Sequence, residues 1–580
     1  MLHPGNIYDR NGIILATNNI DTLRSHITDY EDCNINIENL LSEGHKRLYP
    51  FEEHLFFMLG DMNEQLLSEN LGYMAEGRHL SYLRGFDNQL YDEQGNPIKL
   101  RLTSTKYSIS PFLPVREYTT NEEYCLRDYS ILLPILKNGL KNSDRIENIN
   151  NRISSFWHTN DIVPKDLHLT VDAKLQFSIQ KEMQRYVEKK YNGEEWRYLR
   201  MSAVVLDAQN GELLTSANYP LPNLTILKEN NKIYSDNYRG ENWIAYTDMD
   251  LGLKFPTAPG STAKVMSALA GVKKYGMKAT EQTYDVDPIE RIEVTHGGEP
   301  YGIISMEKAI VSSSNCYFIN LVNRLNLYKE LSELYRTVGV QCNFVDSEGK
   351  IKSILPYSLF YHEGENDILK WNTLFDANAA FALNKFKEYI SAGKHRHLGD
   401  SEWGLAWGQG ILVATPLAMC RVASIVAQKG QMPITNYVIA DSIEKKKLGY
   451  SVPESALIQY VDKTNEFAVS VLSTYMVKQA QKNNIGKLYQ NVIGGKTGTP
   501  ERTIFNDKYK KYKNKNGEKD LNDGWYICFV RGCNINGNKH DIAIALRMER
   551  IGTALSGRAM ALVKDVILPQ LAKYNYIQYK

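Results

Sequence analysis

Three short stretches of this chain set hydroxyls, amides or ammoniums where they could do chemistry. The first is Pro259-Gly260-Ser261-Thr262-Ala263-Lys264, followed by Val265, Met266, Leu269 and Val272 at helical spacing and closed by Gly276. A serine at a helix N-terminus faces backbone N–H groups without intrahelical partners, and the helix dipole there favours developing negative charge. Lys264 lies at i+3, one turn on, where its amine can reach the same face and take the serine proton. Alone, Ser-x-x-Lys fits a capping serine beside a solvated lysine better than a catalytic pair.

The second stretch is Val311-Ser312-Ser313-Ser314-Asn315-Cys316-Tyr317-Phe318, a polar cluster between 306–310 and an apolar run. Polar groups entering a core need partners or a chemical task, and a serine-rich helix cap would satisfy the first condition. The third is Gly494-Gly495-Lys496-Thr497-Gly498-Thr499. Here glycines permit close backbone approach to a ligand, from a strand ending in hydroxyls and an ammonium. A bulged edge strand is the bland alternative.

The elements that must position these groups are legible in the periodicity. Residues 203–207 and 212–217 flank Ala208-Gln-Asn-Gly211, a hairpin with a turn-forming Asn210-Gly211 pair. Residues 491–495, 525–530 and 541–546 read as three more strands, and about 559–571 as a helix. The alternating segment 166–172 leads into a helix over 173–190, and Thr415-Pro416 reads as an N-cap and first helical residue. Strands at both ends with helices between them predict an α/β, α+β layered domain built on one antiparallel sheet. Before residue 165 the grain differs, with short mixed segments rich in Tyr, Asn and charge. The expected division is therefore residues 1–165 and 166–580.

At 580 residues and 66.3 kDa, the chain is too long for a single core. Its 68 Lys and Arg balance 67 Asp and Glu, so there is no bulk attraction to nucleic acid or anionic lipid. The seven cysteines form no Cys-x-x-Cys pair, and no His cluster has zinc-ligand spacing. No metal site is expected, and most of the cysteines should pack as small hydrophobes. No run of apolar residues is long enough to span a bilayer, and the N-terminus lacks the plan of a signal peptide, so the chain as given reads as soluble.

Ser-x-x-Lys, Ser-x-Asn and Lys-Thr-Gly occurring in that order resemble the signatures of penicillin-binding proteins and serine β-lactamases. Leu169-Thr-Val-Asp172 with Leu175-Gln176 is similar to the family's entry into its transpeptidase domain. Trp407-Gly-Gln-Gly410 with Thr415-Pro-Leu417 resembles the run before its long helix, and Asp523-Gly-Trp-Tyr526 the strand after Lys-Thr-Gly. Upstream, Ile7-Tyr-Asp-Arg-Asn-Gly12 with Leu15-Ala16, and Arg47-Leu-Tyr-Pro50 through Leu59-Gly60, resemble the N-terminal pedestal of the class B members. No segment resembles the glycosyltransferase motifs of class A.

The resemblance implies a five-stranded antiparallel sheet between helices, preceded by a β-rich pedestal. It also implies a monofunctional DD-transpeptidase that works without a cofactor and is acylated by β-lactams. Its substrates would be peptidoglycan stem peptides, and its partner a membrane glycosyltransferase of the shape, elongation, division and sporulation family. Carried over residue by residue, Ser261 is the nucleophile, Lys264 its base, and Ser313 a proton relay. Asn315 holds Lys264 and the substrate amide, while Lys496, Thr497, Gly498 and Thr499 receive the terminal carboxylate. The N–H groups of Ser261 and Thr499 form the oxyanion hole. Burial and the neighbouring charge of Lys496 are expected to depress Lys264. A serine β-lactamase would not need the pedestal, and a silent penicillin-binding sensor would keep the fold without turnover. The family implies an extracytoplasmic, periplasmic location and a membrane anchor ahead of the segment with which this chain opens. Between Lys-Thr-Gly and Trp525, residues 501–523 carry six lysines and read as a solvated loop able to attract stem-peptide carboxylates.

Overall fold

The computed structural model describes residues 4–83 (except 42–43, 65 and 68–71), 100–101, 123–124, 164–190, 200–229, 249–286, 302–345, 351–354, 365–391, 403–448, 450, 457–500, 522–549 and 556–580. The lysine-rich stretch 501–521 lies outside them.

Five strands form one antiparallel sheet: β1 (Arg200–Asp207), β2 (Leu213–Tyr219), β3 (Ile493–Gly498), β4 (Gly524–Ile535) and β5 (Asn538–Glu549), in the spatial order β3-β4-β5-β1-β2. Segments from both ends of the chain's second part thus meet in one sheet, as the periodicity implies. The β1–β2 hairpin turns at Gly211, whose φ of 76° is costly for a residue with a Cβ, and the Asn210 side chain accepts from the Glu212 N–H.

Period-two alternation sorts the strands between two cores. Trp525, Ile527 and Phe529 of β4 and Val204 and Leu206 of β1 pack on one face, with the Lys264–Tyr275, Asn315–Arg324 and Pro416–Ala427 helices. Tyr526, Cys528 and Val530 pack on the other, against the Ala173–Lys190 helix and the C-terminal helical segment. Both faces are covered, which is why the strands read as near-continuous apolar runs.

Several boundaries differ from those read in the sequence. The expected 491–495 strand starts at Ile493 and continues through Gly498, because β4 pairs with it from Ile493↔Val530 to Gly498↔Trp525. The lysine and threonine therefore belong to the strand itself. The C-terminal helix starts at Ser556 and widens into a π turn over Val563–Ile567 before Leu568–Lys573. Pro569 has no N–H to give to a preceding carbonyl, a local reason for the irregular turn. Thr415 caps Pro416–Ala427 by accepting from the Ala418 N–H, as expected.

The described residues before 165 comprise short strands, Ile7–Tyr8 and Ile14–Ala16 among them, and several single-turn helices. Ile7–Tyr8 pairs in parallel with Leu167–His168. The Tyr437 hydroxyl donates to the Met58 carbonyl at 2.7 Å, and its ring stacks on Tyr73 at 4.2 Å. Arg47 is buried against Glu76 at 2.7 Å. Six cysteines are described, and all are buried. Among the described residues, no helix is long and apolar enough to cross a membrane and no cluster of metal-ligating side chains occurs.

Candidate active site

Ser261 sits in a 3-10 turn, Gly260–Ala263, that leads directly into the Lys264–Tyr275 helix. Contacts on both sides fix the turn. The Gly260 N–H donates to the Gly408 carbonyl at 2.8 Å, and a Cβ on Gly408, whose φ is 90°, would lie 2.2 Å from the Gly260 oxygen. A Cβ on Gly498 would lie 2.8 Å from the Pro259 oxygen and 3.1 Å from the Thr262 nitrogen. Gly408 and Gly498 therefore let two other segments close around the serine turn. Gly494 and Gly495 serve differently from the ligand approach read in the sequence, because the rings of Phe529 and Tyr526 fill the space beside them.

Lys264 Nζ lies 2.8 Å from Ser261 Oγ, donates to the Ser313 carbonyl at 2.6 Å, and lies 3.2 Å from Ser313 Oγ. Lys496 Nζ reaches the same Ser313 hydroxyl at 2.8 Å and donates to the Thr497 carbonyl at 2.9 Å. Ser313 thus bridges the two ammonium-bearing side chains. It does so from a left-handed backbone conformation, φ 62° and ψ 42°, at the C-cap of the Met306–Ser312 helix. A non-glycine residue held there marks local strain, maintained here by the two helices that Ser313 joins. The other serines of the cluster act structurally: Ser314 caps the Asn315–Arg324 helix by accepting from the Tyr317 N–H, and Ser312 donates to the Lys308 carbonyl. Asn315 opens that helix, nearly buried.

Both lysine side chains are fully buried. Burial pushes Lys264 well below the ordinary lysine range, and the neighbouring Lys496 charge lowers it further. The sequence reading expected burial and the Lys496 charge to act together, and of the two desolvation is the larger cause. Burial alone brings Lys496 down to about 7. Two buried amines with separated affinities for a proton can divide labour, the lower as a base and the higher as a cation.

Thr497 and Thr499 are half-buried, and Gly498 is buried against the serine turn. The structure thus brings Ser261, Lys264, Ser313 and Lys496 into one chain of polar contacts, with Asn315 and Thr497–Thr499 on the elements that carry it. Sequence reasoning missed Arg547, a fully buried arginine on the same sheet face. The signal was a charge at an inward position of an otherwise apolar strand.

Residues 201–535 match the family model described as the penicillin binding protein transpeptidase domain. The chain is similar to the peptidoglycan D,D-transpeptidase MrdA of Acinetobacter baumannii, 23% identical over 362 residues that make up 60% of this chain and 48% of that protein. It spans about half the length of that curated relative. Among solved structures, it resembles a protein of Atopobium parvulum provisionally named a peptidoglycan glycosyltransferase, with a TM-score of 0.52, 16% identity, and 99% and 98% of the two chains covered. PBPA of Mycobacterium tuberculosis aligns with a TM-score of 0.49 and 16% identity over 99% of each chain.

Proposed function

This chain belongs to the penicillin-binding proteins, class B, and from that premise we propose that it is a peptidoglycan DD-transpeptidase working through an acyl-enzyme on Ser261. The observation that carries the reading is the 2.8 Å contact between Ser261 Oγ and a lysine amine whose burial favours its neutral form.

With Lys264 neutral, its lone pair accepts the Ser261 proton while Oγ attacks the carbonyl carbon of the penultimate D-Ala. The N–H groups of Ser261 and Thr499 stabilise the oxyanion. The carbon–nitrogen bond then breaks, and the departing D-Ala amine takes its proton through the Ser313 hydroxyl, which contacts both lysines. An amine from a neighbouring strand reverses these steps, forming the cross-link and freeing Ser261. Lys496, Thr497 and Thr499 receive the terminal carboxylate beside Gly498, and Asn315 orients Lys264 and the substrate amide. Among the described residues, β3 pairs only with β4, so its outer edge can hold an extended stem peptide by strand addition. A β-lactam, which also presents a strained acyl donor and a carboxylate, acylates the same serine.

Residues 1–165 are assigned to a pedestal and 166–580 to the transpeptidase domain. The proposed location is the periplasmic face of the inner membrane. The proposed partner is a membrane glycosyltransferase of the shape, elongation, division and sporulation family, which supplies glycan strands.

The test is turnover: donor pentapeptide and an acceptor amine should give cross-linked product with release of D-Ala. Penicillin binding with no turnover of any stem peptide would instead mark a sensor.

A further inference from the structure

We propose that Arg547 is a positioning residue for Ser261, fixing through its buried guanidinium the segment that carries the nucleophile. This rests on the reading of Ser261 given above.

Arg547 lies in a row crossing the catalytic end of the sheet, through the registers Gly498↔Trp525, Trp525↔Arg547 and Arg547↔Ser202. Its side chain is fully buried. One guanidinium nitrogen donates to the Phe255 carbonyl; the other donates to the Leu251 carbonyl at 3.1 Å and to Glu549 Oε1 at 3.0 Å. Glu549, also fully buried, accepts from Arg200 at 3.0 Å through its second oxygen. The Phe255 ring lies beneath both guanidiniums, 4.6 Å from Arg200 and 5.3 Å from Arg547. The residue six positions before Ser261 is therefore held by its ring and by its carbonyl.

From that clamp the chain has little freedom before the nucleophile. Thr257 exchanges backbone hydrogen bonds with Ala414 at 3.1 and 2.8 Å, and Gly260 donates to Gly408. Pro256 and Pro259 restrict the backbone between these points. Gly498, in the same sheet row as Arg547, meets the turn from the other side. Two arginines sharing one carboxylate is a costly way to fill a core, since buried charges gain little net stability. A planar fork is, however, well suited to fix two carbonyls four residues apart in sequence, which the ammonium of lysine cannot match. Arg547 touches no reacting atom. It acts by setting where Ser261 Oγ stands relative to Lys264 and to the edge of β3, where small displacements strongly affect rate.

The test compares the parent with Arg547→Lys and Arg547→Met well below their melting midpoints. Three quantities are measured: the noncovalent dissociation constant for benzylpenicillin, the acylation rate constant, and amide exchange at Thr257 and Gly260. In Arg547→Lys we expect acylation to slow by about thirtyfold with the dissociation constant within about threefold. Exchange at both amides should rise about tenfold. The acid limb of the pH profile should not move. Arg547→Met should be at least as impaired. Acylation within about threefold of the parent, whatever the exchange does, would overturn the proposal; so would slowed acylation with unchanged exchange at both amides. A parent that takes no acyl group on Ser261 would overturn this proposal and the functional reading together, and is told apart because it appears before any substitution is made.

Discussion

At the scale of the residue, catalysis depends on keeping one of two adjacent lysines neutral. Burial pushes both ammoniums down, and the charge on Lys496 lowers Lys264 further, so Lys264 gives up its proton first. A pH profile of acylation efficiency for a carboxylate-bearing β-lactam should rise as Lys264 deprotonates and fall again above about 7, where free Lys496 loses its charge. An acyl donor lacking the carboxylate should lose the alkaline fall and keep the acid limb. Stability runs in the opposite direction over the alkaline range. Lys496 is depressed from 10.5 to about 7, so its contribution is fully present above 10.5 and is lost as pH falls through 7. Lys496→Met should flatten this slope in thermal melts over that window. Replacing Lys264 with Ala should slow acylation on the order of a thousandfold while the fold persists, since a general base acts on a proton that moves only during reaction. Stopped-flow acylation kinetics and circular dichroism check the two halves of that statement.

At the scale of the element, the site is the place where a 3-10 turn, a helix junction and a strand edge close on one another. One tight joint is Gly498. A methyl added there meets the Pro259 oxygen, the Thr262 nitrogen and the Thr262 methyl at 2.8–3.1 Å. Gly498→Ala should therefore cost about 1–3 kcal/mol in stability and slow acylation disproportionately, as the strand is pushed off the turn. Gly557, with open space where its Cβ would be, is the control. Scanning calorimetry and acylation rates on both variants decide it. Much of this was legible in the sequence: the hairpin at Asn210-Gly211, the helix behind Ser261, the cap at Thr415, and the three motifs whose order points to one site. What was hidden lies in pairing across long separations. That Lys-Thr-Gly lies inside a strand follows from its register with residues 525–530, and local periodicity does not encode register. The left-handed Ser313 has no sequence mark, because Gly, Asn and Asp are the residues that signal such a conformation. Arg547 lies just beyond the 541–546 run read as a strand, and its carbonyl partners at Phe255 and Leu251 are 292 and 296 residues away in sequence.

At the scale of the whole molecule, residues before 165 are joined to the rest by strand pairing at Leu167–His168, by Tyr437 and by the buried Gln180–His54 pair, 3.1 Å apart. Within that first part, Arg47 is held by Glu76, the Pro4 carbonyl and Asn18. Glu76→Ala would strand a buried guanidinium and should destabilise this part by about 3–5 kcal/mol. Limited proteolysis should then open residues 4–83 first, with acylation of Ser261 within a few-fold of the parent; concerted loss of both would show a single cooperative unit. Nucleophilic attack by Ser261 Oγ is read out by intact-mass spectrometry of the chain after incubation with benzylpenicillin. One stable adduct with the mass of the drug is expected, mapped by peptide digestion to Ser261 and abolished in Ser261→Ala. An adduct that survives in Ser261→Ala, or its rapid disappearance by hydrolysis in the parent, would contradict it.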